Sequence, residues 1–146
     1  MYLLDTNHCI YLQNAWDKKE KKRNHFESST LKEYNSLSQK ICYMSEATYG
    51  ELYYGVKKSN QVQKNLKRLN NLLYNVPAIE IDRSIWEIFG DTKAELSKNG
   101  LVIHDIDLVI ASIAKDHNLI LVAADKHMNH LPDDFKREDW TTNKEL

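Results

Sequence analysis

The chain has 146 residues, with 20 Lys and Arg against 21 Asp and Glu, 42% hydrophobic residues and two cysteines, Cys9 and Cys42. A chain this long buries enough surface to fold without disulfides or a structural metal, so one domain over residues 1–146 is expected. The lone cysteines exclude a disulfide framework and fit a reducing compartment; no apolar run reaches the ~20 residues of a membrane span; and a net charge of −1 excludes a strongly basic nucleic-acid binder.

The start, MYLLDTNHCIYL, gives a short buried strand over 2–4 that runs directly into Asp5, with a helix beginning near Asn7. It has neither the basic region nor the long apolar region of a secretory signal, so a cytoplasmic protein is expected. DKKEKKRNHFESS (17–29) is strongly polar and reads as an exposed loop or mobile hairpin, followed by a short helix over 29–39 capped by Ser29 or Thr30. ICYM (41–44) reads as the second strand, and Ser45 as the N-cap of a helix over 46–59. Val62, Leu66, Leu69, Leu72 and Leu73 recur at helical spacing over 61–75.

Pro77 breaks that pattern before a third strand, AIEI (78–81). A helix over 82–100 follows, stopped by Gly100. DLVIASIAKDH (107–117) is apolar nearly all round, the mark of a buried helix. NLILVAAD (118–125) is continuously apolar, as a central parallel strand is, and DFKREDW (134–140) supplies an edge strand. Strands alternating with helices predict an α/β fold with a parallel sheet covered on both faces.

Four acids fall where such a fold would bring them together. Asp5 ends the first strand and Asp125 the fourth, at the carboxyl edge where open α/β sheets bind ligands. Glu51 lies mid-helix between Ala47 and Gly55 on one face, and Asp107 opens the apolar helix above Ala111 and Ala114. Each has a plainer role open to it: an Asx turn or cap for Asp5, a cap for Asp107 or Asp105, a turn for Asp125, a solvated helical acid for Glu51. Jointly, carboxylates in one crevice repel by ~4 kcal/mol per close pair at an effective dielectric near 20, and either take up protons or hold a divalent cation. Oxygen donors without cysteine or paired histidine favour Mg²⁺ or Mn²⁺. Setting four of the 21 acids aside leaves 17 against 20 basic residues, a mildly basic remainder able to meet phosphate.

The motifs LLDTN (3–7), SEATYGELYYGVKKS (45–59), AELSKNG (94–100), DIDLVIASIA (105–114), LILVAADKH (119–127) and the tryptophan of DFKREDW resemble those of the PIN-domain ribonucleases, and within them the VapC-type toxins of VapBC toxin–antitoxin pairs. The resemblance spans nearly the whole chain. It implies a three-layer α/β/α sandwich around a parallel sheet of about five strands. It also implies Mg²⁺- or Mn²⁺-dependent cleavage of RNA that blocks translation, a homodimer, and neutralisation by a small cognate antitoxin. The family's acidic quartet falls on Asp5, Glu51, Asp107 and Asp125. Asp5 and Asp107 are assigned to the metal; Glu51 and Asp125 complete its shell and orient or deprotonate water; Thr6 and Asn7 are candidates to fix the carboxylates by hydrogen bonds. The chain departs from the family in having Ala123 and Ala124 before Asp125, where a hydroxyl residue is usual, and His104 where glycine is common.

The basic segment 18–23 and a rim of Lys57, Lys58, Lys64, Lys67 and Arg68 are candidates to meet RNA phosphates, with Tyr49, Tyr53 and Tyr54 as bases' stacking partners or as interface residues. His8, His104 and His117 read as surface or hydrogen-bonded residues. A haloacid-dehalogenase-type phosphatase would need a second Asp where Asn7 stands, and AIEIDR is a poor receiver-type phosphoacceptor strand. The reading from a different class is a PIN-like scaffold that binds RNA or protein without cutting.

Overall fold

The computed structural model describes residues 1–38 and 41–142. Five parallel strands form the sheet: β1 (Tyr2–Leu4), β2 (Cys42–Ser45), β3 (Ala78–Ile79), β4 (Ile120–Val122) and β5 (Arg137–Glu138), in the order β3-β2-β1-β4-β5. The helices are α1 (Thr6–Asp17), α2 (His25–Ser36), α3 (Glu46–Lys58), α4 (Val62–Asn75), α5 (Arg83–Lys98) and α6 (Asp105–Asp116).

The period-two alternation of a strand divides the core between the sheet's faces. Leu3 and Leu121 pack with Ile85, Leu108, Ile110 and Ile113 of α5 and α6. Leu4 and Val122 face the opposite way, against Leu12, Tyr34, Leu69 and Leu72 of α1, α2 and α4. Trp140 closes this second layer, nearly fully buried, with its ring centroid 5.2 Å from that of Tyr2. The result is the three-layer sandwich that the element order predicts.

Several boundaries differ from those expected, each for a local reason. The exposed connection expected over 17–29 is confined to 18–24 and holds a 3₁₀ turn over Glu20–Lys22, because α1 runs to Asp17 and α2 already starts at His25. Neither Ser29 nor Thr30 caps that helix, since both are buried within it. The cap is Asn24, whose side chain accepts from Glu27 N at 2.9 Å while Glu27 Oε2 accepts from Asn24 N at 3.0 Å. This reciprocal capping box satisfies two amides at once. Glu27 itself is almost fully buried and is neutralised by Lys18 Nζ at 2.6 Å, so one acid of this otherwise exposed stretch belongs to the packed layer. The expected helix end at Gln39 lies outside the described residues.

β3 stops at Ile79 because Asp82, N-cap of α5, accepts from Ile85 N at 3.2 Å. The edge strand shrinks to two residues, and β4 to three. At the end of α5, Gly100 adopts φ +69 and Leu101 N donates back to Leu96 O at 2.9 Å. A left-handed residue there favours glycine and lets the chain reverse towards α6.

Candidate active site at the carboxyl edge of the sheet

β1 is central in the sheet, so whatever follows it emerges in the middle of the carboxyl edge. Asp5 N still donates to Val122 O of β4 at 3.0 Å, and then the chain turns into α1. Asp5 itself makes that turn. It is the N-cap of α1, accepting from His8 N at 2.8 Å, and only 5% of its surface is exposed. Asn7, a candidate to fix the carboxylates, lies exposed inside the first turn of the helix. The expected cap role and the expected carboxylate therefore belong to one residue.

Of the two roles open to His8, surface or hydrogen-bonded, the structure shows the second. It is fully buried, and its Nδ1 lies 2.8 Å from Asp5 Oδ1. With Oδ1 already accepting the backbone N–H, Nδ1 is the donor. His8 Nε2 is buried without a hydrogen-bond partner and sits 4.0 Å from Asp139 Oδ1. An unpartnered buried polar atom costs about 1–3 kcal/mol, so this histidine is not placed there by packing alone. The signal in the sequence was the spacing: a residue three after an N-cap lies directly against the cap's side chain.

Glu51 reaches the same crevice from α3. Its Oε1 accepts from Thr6 Oγ1 at 3.1 Å, across 45 residues of sequence, and Thr6 Oγ1 also lies 3.2 Å from Thr48 Oγ1. Thr48 belongs to the cap of α3: its N donates to Ser45 Oγ at 2.8 Å. The α3 cap thus holds the hydroxyl that holds Glu51. Beside them a cleft of about 340 Å³ runs between α1, α3 and α4, with Thr6 and Glu51 among its lining residues and Arg68 in its wall. Arg68 is committed to the protein through Asp17 and through Asn14 Oδ1 at 2.9 Å, so its guanidinium ties α4 to α1.

Asp107 is the third residue of α6 and does not open it, because the helix begins at Asp105. Asp105 does not cap it either: it turns outward to Lys93 Nζ at 2.8 Å. Asp107 is left half-buried, and its carboxyl is pushed above the usual range, first by burial and then by the charges of Asp125, Asp5 and Glu51, with His104 opposing. Asp107 therefore lies within electrostatic reach of Asp125, Asp5 and Glu51.

Asp125 lies three residues past the end of β4 rather than on it, as N-cap of a 3₁₀ turn over Lys126–His130. Its Oδ1 accepts from His127 N at 2.8 Å and contacts His127 Nδ1 at 2.9 Å. These contacts, the backbone bond foremost, hold its carboxyl below the usual range. A hydroxyl is absent from the preceding positions Ala123 and Ala124, and His127 takes over the orienting contact.

Two observations bear on a metal. The donors are hard oxygens, and Asp107 feels the other three acids as charges. Among the described residues, however, no group of three or more His, Cys, Asp or Glu side chains forms a cage that could hold a metal ion. A hydrated Mg²⁺ needs no such cage, because it keeps several waters and takes one or two carboxylates. The donor set fits that mode of binding.

The PIN domain family model matches residues 2–134. The chain belongs to the PIN-domain family. Among its relatives, this PIN domain is 35% identical over 122 residues to ribonuclease VapC2 of Haemophilus influenzae, covering 84% of each chain. It is 27% identical over 141 residues to the tRNA(fMet)-specific endonuclease VapC of Shigella flexneri, covering 96% of this chain and 98% of that one. Its fold superposes with a TM-score of 0.80 on the VapBC2 structure from Rickettsia felis bound to a DNA fragment from their promoter, at 28% identity, with 95% and 98% of the two chains covered. The family match and these VapC relatives agree with the motifs of the sequence. Among the described residues, no helix is long and apolar enough to cross a membrane.

Proposed function

We propose that this PIN domain is an Mg²⁺- or Mn²⁺-dependent endoribonuclease, the toxin of a toxin–antitoxin pair that blocks translation by cutting RNA in the cytoplasm. The reading is supported by the family match over residues 2–134 and by Asp107, half-buried at the start of α6, whose carboxyl is raised first by burial and then by the charges of Asp125, Asp5 and Glu51. The VapC ribonucleases among its relatives support the same reaction class.

Asp5 and Asp107 would hold the ion; with Oδ1 of Asp5 committed to His8, Oδ2 would be the oxygen left for it. A divalent cation bound there supplies charge against the phosphate oxygens and lowers the pKa of a bound water. Glu51, exposed and held by Thr6, is the general base that takes the proton from the attacking water. Asp125, whose carboxyl the His127 contacts hold below the usual range, orients that water from the opposite side of the crevice.

A small cognate antitoxin is the proposed partner, supported by the VapBC complex whose toxin shares the fold. A homodimer is also proposed; the exposed rings of Tyr53, Tyr54, Tyr74 and Trp86 offer apolar contact area for such interfaces. The name of the Shigella relative makes tRNA the first substrate to try.

One observation favours the alternative, a PIN-like scaffold that does not cut: the lack of a complete carboxylate cage among the described residues. Incubating the purified chain with tRNA and with or without Mn²⁺ separates the two. The nuclease reading expects metal-dependent product that D107N abolishes. Intact RNA at saturating Mg²⁺ and Mn²⁺, with the protein folded, supports the scaffold.

A further inference from the structure

The contact between His8 and Asp5 has no part in the acidic quartet, yet it determines how the first acid is presented. Oδ1 of Asp5 accepts two N–H groups from the same residue, His8 N and His8 Nδ1, each at 2.8 Å. Both partners are buried, so water does not compete for these bonds. The imidazole is itself held edge-on by Tyr11, with ring centroids 5.8 Å apart. Its far edge, Nε2, reaches no hydrogen-bond partner and faces Asp139, which accepts from Thr141 N at 2.8 Å beyond β5. A helix cap needs only the backbone donor. The second donor adds nothing that capping requires and freezes the carboxylate's rotation.

We propose that His8 is a positioning residue for metal binding: its Nδ1–H saturates one oxygen of Asp5 and leaves the other to ligate the divalent cation in a single, monodentate orientation. The inference rests on the nuclease reading above. Hydrogen-bonded partners of ligating carboxylates typically change metal affinity by about 10–100-fold when removed. Its chemical basis is an N–H donor at this reach, which Asn at the same position also carries in its amide, whereas Leu and Phe carry none.

The test is Mn²⁺ affinity, measured on the full-length protein without RNA by counting free Mn²⁺ in electron paramagnetic resonance titrations. Wild type, H8N, H8L and H8F are compared, with thermal melts to show each is folded; H8F keeps ring volume where H8L does not. The expected result is an affinity about 10–100-fold weaker in H8L and H8F, with H8N recovering most of it. Wild-type affinity in a folded H8L or H8F overturns the proposal. So does equal loss in H8N and H8L, which would assign His8 to packing alone. Wild type that binds no Mn²⁺ overturns the metal reading of the site, and the positioning role with it.

Discussion

Asp5 and Asp125 are built alike and placed differently. Each is an N-cap, and each offers a single oxygen, Oδ1, to both the backbone N–H and the Nδ1 of a nearby histidine. At Asp5 the pair is buried, with the His8 side chain 0% and the Asp5 side chain 7% exposed. At Asp125 it lies at the surface, with His127 at 68% and Asp125 at 40%. The same constellation thus gives a rigid carboxylate at one end of the crevice and an exchangeable one at the other. Burial, not residue type, sets the difference, because an exposed pair is screened and competes with water.

The comparison is broken most directly by removing the acids. D5N and D107N are each expected to lower RNA cleavage by ~10²–10³-fold, the usual effect of losing one preorganised electrostatic group. Circular dichroism on both variants would check that the fold survives. A cleavage loss below tenfold in either would remove that residue from the site.

A buried acid outside the site serves as the control. Glu27 is raised by burial but lowered further by Lys18 and the Asn24 amide, so its carboxyl lies below the usual range. Its extra stability is present above the unfolded value of ~4.3 and is lost as pH falls through the lower folded value. K18M should lower stability by about 1–3 kcal/mol, since it leaves a buried acceptor short of a charged donor. Urea melts at neutral pH measure it; an unchanged midpoint would mean that the half-exposed lysine contributes little.

H127A is expected to change cleavage by less than about fivefold, in keeping with the ~0–1 kcal/mol of an exposed ion pair. Parallel titration should show the Asp125 carboxyl moving up towards its ordinary value. A hundredfold loss in H127A would make the two capped aspartates equivalent and end the distinction drawn between them.

The smallest effect is on stability and has the opposite sign. Asp107 has a raised folded pKa, so the folded state binds its proton more tightly than the unfolded chain does. Stability from this group is full below the unfolded value and declines as pH rises through the raised folded value. At neutral pH the ionised Asp107 therefore opposes folding, and D107N should melt higher than wild type while cutting less. That pairing is the trade between activity and stability expected of a strained site.

Much of this was legible from sequence for physical reasons. The unbroken apolar run before Asp125 and the all-round apolar face of α6 belong to elements buried on both sides, and such patterns admit few other placements. Ser45 and Asp5 were readable because caps are local. What escaped was nonlocal or reciprocal. In the segment 17–29 most charges are solvated as expected, but Glu27 is buried and paired with Lys18, which composition does not register. His8 is the local exception: its spacing three after Asp5 carried the signal, but nothing singled it out among six histidines. Thr6 meets Glu51 through a sheet-edge contact between α1 and α3 that no periodicity encodes.

The central claim is that four separated acids serve one divalent cation, and Mn²⁺-induced paramagnetic broadening of side-chain carboxylate carbons tests it most directly. The account predicts that low Mn²⁺ first broadens the signals of Asp5, Glu51, Asp107 and Asp125, and that D107N removes the effect. Sharp signals from all four while surface carboxylates broaden evenly would contradict it.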